Sequence, residues 1–459
     1  MSHFPRPGRA AAPLIGLCLL LPVGIRAQTP SPGSLPAPVP QDTGATNSVE
    51  SPRIASDASG EMRGMWVVRE SLASPASVHR IVVTATKYHI NALFVQVRGR
   101  GDAWYNSTYE PRAERLAGLP GDFDPLEQLV TEAHEAGLQV HAWMNTFLVW
   151  SGSHAPRSPR HLWNAHRDWF ACDRHGRCSP VPTNSTEGAF LQPSNPAVQQ
   201  HLLKVFTDVA TRYDVDGIHF DYCRYANTGY DFSAGTLHRF RDFMAAQGTP
   251  EEAARMDARV KTDRLAYVHA FGPQWAEWRR SQITGIVASI SQAAKAAKPY
   301  MQVTAAVFPD ANEAFAERGQ DWRGWLKAGY LDAVALMAYD KSTDRVVRQT
   351  RAALAAAGEK HVYTGVGAWR LGADDVAHKI AEIRKTGAAG VNLFSYDGMH
   401  TRANYLDTLA RGVFASRSAP RRMRWLPDRA ASVGSRGAPV ERGSDTTERK
   451  ASGYPGGRR

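Results

Sequence analysis

Eight short apolar segments alternate with amphipathic segments of helical period between residues 61 and 414, and this alternation constrains the fold more than any other feature of the chain. Short, nearly continuous apolar runs are typical of strands that are buried on both faces of a parallel sheet. Eight β-α repeats in one chain favour a closed barrel over an open sheet. The sequence therefore predicts an α/β protein with one (β/α)8 TIM-type barrel domain at residues 61–414.

The strands and helices can be placed from the apolar period and from start and stop residues. Pro125 follows Asp124 in a cap-like position, and Gly137 and Gly387 lie where helices should end. The predicted strands are Gly64–Val68, Ala92–Val97, Gln139–Met144, Gly217–Tyr222, Gln302–Phe308, Asp332–Tyr339, His361–Val366 and Val391–Tyr396. The predicted helices are Pro75–Tyr88, Pro125–Ala136, Pro196–Tyr213, Trp275–Ala297, Thr343–Ala357 and Ala373–Thr386, with a further short one at Trp322–Ala328.

The first 27 residues have the pattern of a secretory signal peptide. Arg6 and Arg9 precede an apolar run, and Ala27 suits cleavage. The run is short for a membrane span and is interrupted by Pro13 and Pro22. This favours a cleaved signal peptide, and a retained membrane anchor is the alternative. Export to the periplasm or the extracellular space is expected, followed by a disordered linker at 28–60 that is rich in Pro, Ser and Thr.

The other end of the chain, 415–459, is basic. Eleven Lys or Arg against four Asp or Glu from residue 417 onward account for a net charge of +7, out of +11 for the whole chain. Few apolar residues accompany these charges, which predicts a disordered tail. Weak contact with an anionic envelope surface is one interpretation, and a solubilising tail without a partner is the other. Nucleic acid is not expected as a partner of an exported protein whose charge lies in such a tail.

The cysteines predict one local crosslink. Cys172 and Cys178 flank a short polar loop, and a disulfide between them is expected in an oxidising compartment. Cys223 is then left over. Because His134 and His141 lie on different predicted elements, no zinc spacing emerges, and neither a metal nor another cofactor is predicted.

In a barrel of this kind the functional groups lie at the carboxyl ends of the strands and in the loops that follow. Carboxylates and aromatic rings recur at these positions. Aromatic faces beside carboxylates suit sugar rings, which stack on apolar surfaces while their hydroxyls take polar partners. The candidate residues are Arg98, Asp102, Trp104, Glu110, His141, Trp143, Asn145, His219, Asp221, Arg224, Tyr339, Asp340, Trp369 and Asp397.

The fourth predicted strand contains the most informative stretch, residues 216–225. Strict alternation places Ile218, Phe220 and Tyr222 on one face and His219, Asp221 and Cys223 on the other. Strand interiors disfavour Asp, so Asp221 followed by Arg224 is typical of a strand that ends in a polar site. The structural alternative is an Asp that caps the next turn or pairs with Arg224.

Several motifs in order resemble the glycosyl-hydrolase-like family 10 proteins of bacterial envelopes. These motifs are Glu61-Met62-Arg63-Gly64-Met65-Trp66, the run from Asn91 to Arg98 leading into Gly101-Asp102-Ala103-Trp104-Tyr105, the segment from Phe123 to Asn145, and Tyr213 to Asp221. The resemblance covers essentially the whole predicted barrel. It implies a (β/α)8 glycoside hydrolase, and for the best-understood members a substrate of peptidoglycan glycan strands stripped of stem peptides.

A weaker similarity links two stretches to family 18 chitinases. Residues 216–221 and 337–340 look like the fourth and sixth strands of those enzymes, in which Asp, Asp and a catalytic Glu occupy alternate inward positions. The corresponding residues are His219, Asp221 and Cys223. Because a thiol is a poor substitute for that Glu, the resemblance leaves a chitinase-like mechanism in doubt.

Glycosidic cleavage ordinarily uses two carboxyl groups. Asp221 is the expected ionised partner, with Arg224 nearby, and Glu110 is the preferred proton donor. Asp340 is the rival donor, ahead of Asp102 and Asp397. The other candidates are expected to bind sugar hydroxyls, or alternatively to line the barrel. Two further hypotheses stay open: a non-catalytic glycan-binding protein, and a hydrolase of another acetamido-sugar polymer.

Overall fold

The computed structural model describes residues 60–178, 182–183 and 186–429 of the 459-residue chain. The predictions for the signal peptide, nearly all of the linker and residues 430–459 lie outside the described residues. The described residues contain ten strands: β1 (Met62–Val67), β2 (Ala92–Arg98), β3 (Gln139–Asn145), β4 (Leu148–Trp150), β5 (Ala189–Phe190), β6 (Gly217–Asp221), β7 (Gln302–Val307), β8 (Ala333–Leu336), β9 (His361–Gly367) and β10 (Gly390–Phe394).

Eight of these strands form a closed parallel barrel, which confirms the predicted fold class. The order around the barrel is β1, β2, β3, β6, β7, β8, β9 and β10, and β10 pairs with β1. Each predicted strand is present with ends shifted by a few residues, and β8 is the shortest relative to its prediction. The additional strands β4 and β5 form an antiparallel pair within the long connection after β3.

Helices surround the barrel and connect its strands. The α-helices are α1 (Pro75–Lys87), α2 (Pro125–Glu135), α3 (Leu162–Ala165), α4 (Pro196–Arg212), α5 (Ala234–Ala245), α6 (Pro250–Val260), α7 (Ala266–Ala270), α8 (Gly272–Ala297), α9 (Ala311–Arg318), α10 (Trp322–Lys327), α11 (Thr343–Ala357), α12 (Ala373–Arg384), α13 (Tyr396–Met399) and α14 (Tyr405–Arg411). Short 3-10 helices lie at Arg69–Leu72, Glu114–Leu116, Arg167–Trp169 and Ala368–Arg370. All seven predicted helices are present. None of the helices in the described ranges combines the length and the apolar character that a membrane crossing requires.

Local signals explain where the first helices begin. At α1, the Ser74 hydroxyl accepts from the Ser77 N–H and the Ser77 hydroxyl accepts from the Ser74 N–H, which satisfies two otherwise unpaired donors. At α2, Asp124 accepts from the N–H groups of Leu126 and Glu127, and Pro125 occupies the first turn. Both helices then bury one apolar face against the barrel.

Two apolar layers hold the barrel. The outer layer lies between strands and helices and includes Ile81, Leu129 and Val205. The inner layer fills the barrel itself with large rings from different strands, and Trp66 packs against Phe94 there at a centroid distance of 6.1 Å. The barrel interior is therefore a packed core and not a channel.

The first part of the predicted basic tail, residues 415–429, packs against the barrel, and we call it the closing segment. The Glu61 N–H donates to the Ala419 carbonyl at 2.9 Å, and Met423 joins the inner apolar layer. Trp425 Nε1 donates to Asp332 Oδ1 at 2.9 Å. Part of the predicted disordered tail thus contacts the barrel, because apolar Met423 and Trp425 among the basic residues supply contacts that a composition count overlooks.

Candidate active site

A cleft of about 310 Å³ opens where the barrel strands end. Its walls come from the carboxyl ends of several strands and from the loops after them, as the barrel predicts. The residues that line it are Val68, Arg69, Gln96, Gly99, Trp143, Asn145, Leu148, Ser151, Glu187, Asp221, Tyr222, Arg224, Met337, Tyr339 and Phe394. Five predicted candidates therefore meet in this cleft: Trp143, Asn145, Asp221, Arg224 and Tyr339.

Asp221 is the last residue of β6 and is buried beneath the cleft. Its Oδ2 accepts from Trp143 Nε1 at 3.0 Å, and its Oδ1 accepts from the Tyr222 N–H at 2.6 Å and from Arg224 Nη1 at 3.3 Å. Burial raises the pKa of this carboxyl group, and the Arg224 guanidinium and the hydrogen bonds lower it only in part. The pKa of Asp221 thus lies above the ordinary value for Asp, so the protonated form persists to higher pH than in water.

The alternation expected for residues 216–225 breaks directly after Asp221. Tyr222 has a φ of +47°, a left-handed conformation that ends β6 and turns the Tyr222 ring toward the cleft. Cys223 then points into the outer apolar layer with no exposed surface, and burial raises the pKa of its thiol to about 12. Cys223 therefore does not share a face with Asp221, and it has no part in the cleft.

Aromatic rings form one wall of the cleft. The rings of Tyr339 and Phe394 lie 5.5 Å apart, and Trp369 packs edge-on against Tyr339 at 5.0 Å. Trp369 is 42% exposed, in contrast to the buried rings below it. Burial raises the pKa of the Tyr339 hydroxyl well above its usual value, and the neighbouring Asp221 charge adds to this effect. The wall offers a ring-stacking surface next to a carboxyl group.

The two histidines that were predicted to bind sugar, His141 and His219, lie inside the barrel and do not line the cleft. His219 accepts from Trp66 Nε1 at 3.2 Å through Nε2, so its Nδ1–H donates to Thr304 Oγ1 at 2.8 Å. His141 stacks on Phe94 at 4.4 Å, in space that Gly217 provides: a Cβ at residue 217 would lie 2.4 Å from His141 Nδ1. Burial lowers the pKa of His141 to about 4 and that of His219 well below its usual value. Both rings are neutral packing residues, contrary to the predicted sugar binding.

Glu110 also lies away from the cleft. Its carboxylate accepts from Arg98 Nε at 2.8 Å and 3.1 Å and from Nη2 at 2.6 Å, and contacts His201 Nε2 at 3.1 Å. Burial alone would raise the pKa of Glu110, but the charge of Arg98 and the contact with His201 outweigh burial and lower it to about 2. A carboxylate held this firmly in its ionised form is a poor proton donor. Arg98 has no exposed surface either, so it cannot touch a substrate.

The remaining carboxylate candidates have structural partners. Asp340 Oδ1 accepts from the Ser342 N–H at 2.8 Å and its Oδ2 lies 3.4 Å from Arg345, at the start of α11. Asp397 accepts from the Val68 N–H at 2.9 Å and from the Ser71 hydroxyl. Asp340 thus holds the turn into α11, and Asp397 ties its own segment to the one after β1, so both have structural contacts.

Asp102 and Trp104 line a second, separate cavity of about 330 Å³ with Arg100 and Trp150. Asp102 Oδ1 accepts from the Arg100 N–H at 3.0 Å, and Trp104 is buried. Neither residue lines the cleft of Asp221. Asn145 does so, and its Nδ2 donates to the Gly99 carbonyl at 2.6 Å, which joins the loops after β2 and β3.

Cys172 and Cys178 are joined by a disulfide in the long connection after β3. The Cys172 N–H donates to Asp231 Oδ1 at 3.1 Å, and the Phe232 N–H donates to the Cys172 carbonyl at 2.8 Å. The crosslinked loop is thereby anchored to the segment that follows β6.

Sequence reasoning missed Glu187, which lines the cleft together with Asp221. Glu187 Oε1 lies 3.9 Å from Arg224 Nη2, and the side chain is 51% exposed. It lies far along the connection after β3, next to β5, so a search of the residues close to the strand ends does not find it. A signal was present: Glu187 and Gly188 directly precede the short apolar run 189–191.

The fold and the cleft define the class of protein. A (β/α)8 barrel with carboxyl groups and aromatic rings at the carboxyl ends of its strands is an architecture of glycoside hydrolases. The glycoside hydrolase domain of PgaB (BpsB) from Bordetella bronchiseptica shares the fold, with a TM-score of 0.56 and 18% identity over 76% of this chain and 97% of that one.

The family model described as Glycosyl hydrolase-like 10 matches residues 61–373, so the chain belongs to this family and is a glycoside hydrolase. This confirms the resemblance found in the sequence. Glycosyl hydrolase DigH of Escherichia coli K12 is 25% identical over 334 residues, which cover 63% of this chain and 67% of that protein. Glycosyl hydrolase YngK of Bacillus subtilis is 26% identical over 274 residues, 55% of this chain and 46% of that protein.

Proposed function

We propose that this glycoside hydrolase cleaves glycosidic bonds in peptidoglycan glycan strands, freed of their stem peptides, or in a related acetamido-sugar polysaccharide. The proposed location is the periplasm or the extracellular space. The family resemblance supports the substrate, and the signal-peptide pattern of residues 1–27 supports export. A weak electrostatic contact between the basic residues beyond 414 and an anionic envelope surface is part of the same proposal.

The observation that carries this proposal is the position of Asp221. It is a buried carboxyl group beneath a cleft with one aromatic wall, at the end of a barrel strand. Trp143 Nε1 donates to Asp221 Oδ2 at 3.0 Å, and both residues line the cleft. Because burial raises its pKa, Asp221 suits the role of proton donor to the leaving oxygen better than the ionised role expected from the sequence.

The test follows new reducing ends by mass spectrometry on purified peptide-free glycan strands. The full mature chain should release fragments, and Asp221→Asn should lower the rate by about 100-fold or more, since an amide cannot donate that proton. Asp374→Asn is the matched control, because Asp374 is an exposed residue of α12. Retention of the wild-type rate by Asp221→Asn would remove Asp221 from the chemistry. Strand binding without cleavage by the wild type would favour the alternative of a glycan-binding protein.

A further inference from the structure

Two carboxyl groups face the cleft among the described residues that line it, and they belong to Asp221 and Glu187. Glycosidic cleavage ordinarily needs a second carboxyl group in addition to the proton donor. Glu110, Asp340 and Asp397 are engaged elsewhere, as their contacts show. The second group must then come from Glu187, a residue outside the barrel strands.

The chain fixes Glu187 at this position through the β4–β5 pair. Leu148 of β4 lines the cleft and pairs with Phe190 of β5, and Glu187 lies just before β5. Gly188 lies between Glu187 and β5 and has a φ of +154°. A Cβ at residue 188 would lie 2.0 Å from the Trp150 carbonyl oxygen. The tight approach of the two backbones requires glycine, and it holds the adjacent Glu187 at the edge of the cleft.

Arg224 connects the two carboxyl groups. Its Nη1 lies 3.3 Å from Asp221 Oδ1, and its Nη2 lies 3.9 Å from Glu187 Oε1. The guanidinium is itself held against the Tyr222 ring at 4.1 Å. Since one guanidinium lies beside both groups, Asp221 and Glu187 are close enough to act on one glycosidic bond, for which paired carboxyl groups lie roughly 5–9.5 Å apart.

The environments of Asp221 and Glu187 differ as the roles of proton donor and of base for the attacking water require. Asp221 is buried, and burial favours its protonated form. Glu187 is half exposed, where water can reach it from the open side of the cleft. One group is suited to donate a proton to the leaving sugar, and the other is suited to contact the attacking water.

We propose that Glu187 is the second catalytic carboxylate, acting as general base. The water oxygen bonds to the anomeric carbon while Glu187 takes a proton from that water. The bond from the anomeric carbon to the glycosidic oxygen breaks, and that oxygen takes the proton of Asp221. Exchange with solvent then restores both groups, and the anomeric configuration is inverted. This inference rests on the proposed function.

The test compares Glu187→Gln with Glu251→Gln, a control at an exposed glutamate of α6. Glu187→Gln should lower kcat on peptide-free glycan strands by about 100-fold or more while strand binding and melting temperature stay unchanged. Sodium azide should restore cleavage in Glu187→Gln and form a glycosyl azide, because azide needs no base. Azide should not rescue Asp221→Asn, which lacks the proton donor. A purely structural role for Glu187 would show no such rescue.

The outcomes separate this inference from the proposed function. An inactive wild type on every acetamido-sugar polysaccharide tested would overturn the function itself. An active wild type with an equally active Glu187→Gln would leave the function standing and overturn the role of Glu187. Product that retains its anomeric configuration, seen by NMR of the first turnover products, would also overturn the role of general base.

Discussion

Arg98 and Glu110 form a doubly hydrogen-bonded ion pair that is completely shielded from solvent. Arg98 Nη1 also donates to the Thr146 carbonyl at 3.1 Å, so the pair links the loop after β2 to the loop after β3. That second loop begins directly after Asn145, which lines the cleft. The pair therefore positions the cleft wall without contacting a substrate.

Replacing Glu110 should lower the free energy of unfolding more than it lowers the rate of cleavage. Glu110→Gln leaves the Arg98 charge buried without its partner, which typically destabilises a protein by about 3–5 kcal/mol. Urea unfolding measures this change, and Glu251→Gln should stay within about 0.5 kcal/mol of the wild type. If Glu110→Gln kept full stability but lost cleavage, Glu110 would return as a candidate for the proton donor.

The pH dependence of the unfolding free energy should also show the stabilising effect of the Glu110–Arg98 ion pair. The pKa of Glu110 falls from an ordinary value of 4.5 to about 2 in the folded state, so its stabilising effect is present above pH 4.5 and is lost as the pH falls toward 2. The difference in unfolding free energy between the wild type and Glu110→Gln should therefore shrink over this interval. A difference that stayed constant down to pH 2 would contradict the assignment.

The sequence predicted the barrel well because its strands and helices repeat a local pattern. The position of Asp221 at the end of β6 was predictable for the same reason, since a carboxylate that ends an apolar strand can be recognised in the sequence. Glu110 was expected to be the proton donor because its two partners could not be recognised in the sequence. His201 lies 91 positions away, and the sequence does not show that the Arg98 side chain points toward Glu110. Cys223 was misplaced because one left-handed residue, Tyr222, ends the alternation. Glu187 depends on a β-pair within an irregular connection, which periodicity cannot detect.

Trp143 should tune the acidity of Asp221. Its Nε1–H stabilises the ionised form, so Trp143→Phe should raise the pKa of Asp221 further. If protonated Asp221 is the active form, kcat/KM falls as the pH rises through that pKa. The basic limb of the profile should then move to higher pH in Trp143→Phe, because the hydrogen bond that favours the ionised form is lost. If the ionised form were the active one, the raised pKa of Asp221 would instead move an acidic limb of the profile to higher pH, and the basic limb would stay in place.

Trp369 should act on substrate binding more than on turnover. Its exposed ring extends the aromatic wall, and loss of one stacking contact of about 0.5–1.5 kcal/mol corresponds to a KM about 2- to 12-fold higher in Trp369→Ala. Steady-state kinetics on glycan strands gives both constants. Phe243→Ala is the control, since Phe243 on α5 is 43% exposed, nearly as much as Trp369. Equal effects of the two variants would contradict a role in the cleft.

The closing segment should stabilise the barrel without affecting catalysis. Met423 is buried in the inner apolar layer at the end of the barrel opposite the cleft, so Met423→Ala should cost about 2–5 kcal/mol while kcat stays unchanged. Unfolding in urea and the rate of strand cleavage test the two parts of this statement. Arg424→Ala, at the exposed neighbour, should change neither quantity.

The closing segment accepts a hydrogen bond from Glu61, and β10 pairs with β1. The first and last parts of the domain are therefore in direct contact. On a ribosome, the first strand emerges more than 300 residues before its second neighbour β10. Contacts this distant in sequence form late, since closing the intervening chain has an entropic cost. The domain can therefore finish folding only after almost the whole chain has been synthesised, and a chain of this design stays incompletely folded while it is still being made.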